Sequence, residues 1–164
     1  MKKLYFLLFL PIFAVLIISC EKEEDEDVQP NTDPLLHVQF TNDATSEFVI
    51  TNVQMISHGN AGEADQGPIG DWSGNIIPGN QHLSPGEMVE MDLAIPNLYK
   101  YVYRLQVIDE NGNYVWLHEQ EGYNGDGGGS ITHWGSHKRQ VYVSVVRNTN
   151  TGFIYIQGWG DNAY

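Results

Sequence analysis

Period-two alternation is the feature that most limits what this chain can become. Across residues 88–95, Val89, Met91, Leu93 and Ile95 fall on one face, and Glu90 and Asp92 on the other. Successive strand side chains point to opposite faces, so this pattern specifies a strand with one buried side and one wet side. Ser84-Pro85-Gly86-Glu87 introduces it with strong turn chemistry. The same grammar recurs along the chain. Residues 36–41 read as a first strand. Residues 48–57 read as a second, long enough to need a bend or bulge near Asn52, where its alternation weakens. Residues 100–108 and 114–119 form a hairpin around Asn111-Gly112, and residues 140–147 and 153–157 form another around residues 148–152. Residues 58–85 look like loop, with Trp72 embedded. So long a connection in a compact domain must pair in part, and Asn75-Ile76-Ile77 is the segment expected to do so.

Seven or eight strands at this spacing, with no helix and no repeat, predict an all-β fold. The expected form is an antiparallel β-sandwich of immunoglobulin-like type over residues 35–164. The Cys…Trp…Cys hallmark of true immunoglobulin domains is missing, so topology stays open. A chain of 164 residues has room for one such domain, and 41% hydrophobic residues exclude a disordered one. The 21 acidic residues against 8 basic ones, a net charge of -13, exclude nucleic acid as a partner.

The beginning of the chain reads differently. Met1-Lys2-Lys3 precedes an apolar run over residues 4–18, interrupted by Pro11. A membrane-spanning helix takes about twenty apolar residues, so the run suits a secretory signal peptide over residues 1–19. It ends in Leu16-Ile17-Ile18-Ser19-Cys20, which resembles the lipobox of bacterial lipoproteins. Ser19 is the small residue that pattern has before the cut, while Ile18 is less usual at its position. The resemblance implies that Cys20, the chain's single cysteine, is lipidated and becomes the new amino terminus. The membrane is then a partner through the lipid anchor.

After Cys20 come six acids and one lysine over residues 21–27, a self-repelling, solvated run. Residues 20–34 are therefore expected to be a disordered tether, stiffened by Pro30 and Pro34. Lys22-Glu23-Glu24 resembles the lysine-plus-acid export signal of surface-displayed lipoproteins in some Gram-negative bacteria. That resemblance implies the outer membrane and its exposed side. Within the domain, Phe40-Thr41-Asn42, Trp72, the Leu83-to-Glu87 turn and the Tyr-rich strand ending at Gly112 resemble a loose class of small exported bacterial β-domains. The likeness rests on turn chemistry and implies fold only.

No catalytic constellation emerges. There is no Gly-x-Ser-x-Gly and no phosphate loop. Glu90 and Asp92 read as a solvated face rather than an acid pair. His133 and His137 share a face only on a helix, which Gly135 opposes, and His118 with Glu119 and Glu121 has no ligand spacing. Asp109 opens a superficially calcium-like loop whose twelfth position is Gln120, and the hairpin reading wins. Gly122 to Gly129, with Asn124 and Asp126, offers another calcium-like loop, but this composition is far commoner in flexible surface loops. No enzyme, metal or cofactor is expected.

The aromatics remain. Tyr99, Tyr101 and Tyr103 share a strand face, as do Tyr114 and Trp116, and as do Phe153, Tyr155 and Trp159. Such residues form sandwich cores more often than binding faces. Trp72 and Trp134 sit in glycine-rich loops without strand neighbours, and Trp116 lies in a polar-tipped row with Tyr114 and His118. These three tryptophans are the candidate contacts for an extracellular glycan, a neutral one being favoured over a sulfated one by the acidic surface. The competing expectation is a structural or protein-interaction subunit of a cell-envelope complex.

Overall fold

The computed structural model describes residues 35–58, 68–94, 100–121, 129–132 and 137–164. Cys20, the acidic tether, Tyr99, His133 and Trp134 lie outside them. The described residues form nine strands: β1 (Leu35–Asn42), β2 (Val49–His58), β3 (Pro68–Ile69), β4 (Met88–Ala94), β5 (Lys100–Ile108), β6 (Tyr114–Trp116), β7 (Ser130–Thr132), β8 (Lys138–Arg147) and β9 (Ile154–Ala163). Short 3-10 turns cover Pro78–Asn80 and Leu117–Glu119. Among the described residues no helix is long and apolar enough to cross a membrane.

Alternation becomes burial as the sequence requires. In β4, Val89, Met91 and Leu93 are buried and Glu90 and Asp92 exposed. In β5, Tyr101, Tyr103, Leu105 and Val107 all point inward. The Asn111-Gly112 hairpin closes with the Asp109 carboxylate accepting the Asn111 and Asn113 backbone N–H groups, which leaves it capping a turn. Gly112 takes φ +84°, which L side chains rarely adopt.

The strands form two sheets, one of them curled into a half-barrel. The first has the order β4-β1-β8-β9. The second runs β3-β2-β5-β6, with β7 also paired to β5. One core joins them: Leu36, Val38 and Phe40 of the first sheet cluster with Val53, Tyr103 and Leu105 of the second. Full burial of each large apolar side chain contributes about 1.5–3 kcal/mol. Asn42 is buried at the exit of β1, where its Nδ2 donates to the Phe48 and Leu83 carbonyls at 2.9 and 2.8 Å. That side chain ties the start of β2 to the turn before β4.

Several expectations need correction. The fold is not wholly antiparallel, because β1 and β8 run parallel, His37 opposite Lys138 and Phe40 opposite Val141. β4 takes one side of β1 in an antiparallel pair and β8 takes the other in a parallel one, with β9 then pairing antiparallel to β8 at the edge. Among the described residues nine strands replace seven or eight, because β3 and β7 are too short to carry an alternating signal. The expected bulge near Asn52 is present, with the register shifting between Ile50 and Asn52. A second irregularity, between Ser144 and Val145, sets Val145 opposite Ile156 and Ser144 opposite Gly158. It moves Trp159 onto the face of Ile154 and Ile156, against the core, and away from the face of Phe153 and Tyr155.

Candidate functional site

The outer face of the second sheet carries the most concentrated group of chemistry-bearing side chains. Its foundation is β5. With tyrosines and aliphatics inward, the opposite parity puts Arg104 and Gln106 outward. Register then sets Gln54 of β2 directly opposite Arg104, and Trp116 of β6 opposite Gln106. Trp116 is thus a diagonal neighbour of Arg104, within reach of long side chains. Beyond Trp116 the strand gives way to the 3-10 turn, pinned by the fully buried Leu117, which turns His118 back over the same face.

Trp72 arrives from the long connection. Ser73 latches to β2 at Met55, its N–H donating to the Met55 carbonyl at 2.8 Å and its hydroxyl accepting the Met55 N–H at 3.0 Å. Asn75 repeats the device: its carboxamide oxygen accepts the Val53 N–H at 3.1 Å, and Ile76 donates to the Val53 carbonyl. The segment expected to pair therefore does so, with two side-chain oxygens replacing ladder carbonyls. This holds Trp72 above the sheet.

The result is a guanidinium between two indoles. The Arg104 Cζ lies 4.5 Å from the Trp72 ring centre and 5.0 Å from that of Trp116. Its Nε donates to the Gln54 carboxamide oxygen at 2.7 Å, and Nη1 approaches His118 Nε2 at 3.3 Å. The His118 ring is 5.8 Å from Trp116, edge to face, and 6.5 Å from Trp72, near parallel. All five side chains are half-buried. Arginine has only donors, so in this contact His118 Nε2 accepts, although the same atom also lies 3.4 Å from Glu119 Oε1 and Nδ1 is buried without a partner among the described residues. Burial holds the imidazole below its ordinary pKa; Glu119 opposes this and the Arg104 charge adds to it.

Two of the three tryptophans chosen from sequence, Trp72 and Trp116, are thus brought together from distant parts of the chain, and neither belongs to the core. Trp134 and Cys20 lie outside the described residues. Tyr114 continues the Trp116 side of β6 and is 60% exposed. Sequence reasoning missed Arg104 and Gln54; outward polar positions on a strand look like any solvated face.

Other polar groups mostly satisfy one another. A cleft of about 350 Å³ on the first sheet is lined by residues including His37, Glu90, Asp92 and Tyr164, and its His37 Nδ1 meets Asp92 Oδ1 at 2.6 Å. A second cleft, about 250 Å³, includes Asp43, whose carboxylate accepts both the N–H and the hydroxyl of Thr45. Among the described residues no group of three or more His, Cys, Asp or Glu side chains is placed to hold a metal ion. No family model, curated protein or solved structure matches the chain.

Proposed function

We propose that this chain is a lipid-anchored, surface-displayed module that binds an extracellular glycan without catalysis, through Trp72 and Trp116. The observation that carries this reading is the meeting of those two indoles on an outer sheet face, flanked by Tyr114 and by the polar groups of Gln54, Arg104 and His118. An aromatic ring is a flat apolar platform on which a sugar ring stacks, and nearby polar groups supply orientation. The domain is read as an immunoglobulin-like sandwich, supported by its two sheets over one core. The competing subunit role has less support, since the edge strand β4 turns Glu90 and Asp92 outward, and edge charges discourage strand addition.

The binding test uses the full chain in detergent on an array of extracellular polysaccharide fragments. Trp72→Ala and Trp116→Ala should each lose at least about tenfold in affinity, about 1.4 kcal/mol, while melting within a few degrees of wild type. Variants that bind as wild type does would remove the site. For the anchor, a labelled fatty acid should mark the wild-type chain and leave Cys20→Ala unmarked; equal labelling of both would end that part of the proposal.

A further inference from the structure

Arg104 makes no ion pair with a described acid, in a chain where acids outnumber bases 21 to 8. Its counterparts behave differently. Arg147 pairs with Glu110, and Arg139 faces Asp161 at 3.8 Å. Arg104 makes no ion pair with a carboxylate among the described residues, although Glu119 lies close by, its Oε1 3.4 Å from His118 Nε2. A half-buried guanidinium outside any ion pair retains unused binding capacity, because burial has removed part of its hydration.

That capacity has a direction. The indoles of Trp72 and Trp116 lie against the guanidinium, whereas hydrogen bonds leave it in its own plane. Of its five N–H groups, one goes to Gln54 and one to His118. Three remain, both on Nη2 and one on Nη1, enough to grip one carboxylate with two parallel bonds. The contacts to Gln54, His118 and both rings hold the group in place beforehand, so little side-chain entropy is left to lose on binding.

We propose that the ligand of this face carries a carboxylate, as in a uronic-acid unit of an acidic glycan, and that Arg104 receives it while Trp72 and Trp116 hold the sugar chain. This rests on the glycan-binding reading above and replaces the neutral sugar expected from the net charge. A net charge of -13 repels polyanions at long range, yet a single charge gripped at contact outweighs that screened repulsion. A phosphate monoester carries up to twice the charge beside Glu119, and a sulfate ester, though singly charged, is tetrahedral rather than planar and matches the flat guanidinium fork less closely.

The test compares short oligosaccharides of galacturonic, glucuronic and mannuronic acid with their methyl esters, which keep the sugar and remove the charge. Calorimetry on the full chain in detergent should find at least one free acid bound about tenfold tighter than its ester. The gap should narrow as salt rises from about 50 mM to about 500 mM. Arg104→Gln should abolish the preference, and Arg104→Lys, a charge without the fork, should restore part of it. Should the arginine variants not fold, the acid-against-ester comparison on wild type decides alone. Equal binding of acid and ester, lost in Trp72→Ala, would overturn this inference and leave the glycan reading standing. Binding of a polyglutamate peptide with no binding of any sugar would overturn both.

Discussion

Arg104 and His118 share a contact that depends on protonation. The arginine can only donate, so the imidazole must stay neutral at Nε2 for the contact to hold. Burial and the arginine charge both disfavour the protonated ring, with Glu119 in opposition. The folded-state pKa is therefore below the unfolded value of about 6.5. In that window the unfolded chain binds more protons, so this group's share of stability is intact above about pH 6.5 and is lost as pH falls through the folded pKa. NMR titration should find His118 titrating below an exposed histidine, and Arg104→Gln should move it upward. An unshifted His118, or one indifferent to Arg104→Gln, would contradict the geometry. The residue scale is also where the sequence was least legible. Trp72, Trp116 and His118 stand out by type and setting, whereas Arg104 and Gln54 acquire meaning only when β2 and β5 come into register.

Elements were read more fully, and the failures share a cause. Strands β1, β4 and β5 follow from alternation, and their turns from Pro, Gly and Asn at the required positions. Pairing that no hairpin dictates was not legible, which is why the parallel contact of β1 with β8 went unforeseen. One extra residue was equally invisible in β9, where the bulge turns Trp159 inward to lie 6.1 Å from Phe40 and 5.9 Å from Tyr103, ring to ring. There its Nε1 donates to the Ser130 carbonyl at 3.1 Å, and the ring lies so close over Gly129 that an added Cβ would fall 2.0 Å from it. Gly129→Ala must therefore displace the indole or the entry to β7. Chemical denaturation should show a loss of about 1–3 kcal/mol, as overpacking usually costs. A variant as stable as wild type would mean that Trp159 does not pack there.

At the scale of the whole molecule, the three described tryptophans divide by place. Trp159 is held against the core, whereas Trp72 and Trp116 lie on an outer face and clasp a cation that makes no ion pair among the described residues. The division separates stability from binding: removing Trp159 should cost stability, as truncating large packed side chains does, and removing the outer pair should cost ligand. In the proposed reading, the local geometry of one restrained arginine would decide at contact what net charge opposes at a distance. The most direct measurement is an NMR titration of the full chain in detergent, with the indole Nε1 signals assigned and the uronic-acid oligosaccharides added. The Trp72 and Trp116 signals should shift together and saturate at one ligand concentration, with Trp159 unmoved. Saturable binding that leaves Trp72 and Trp116 in place would contradict the site.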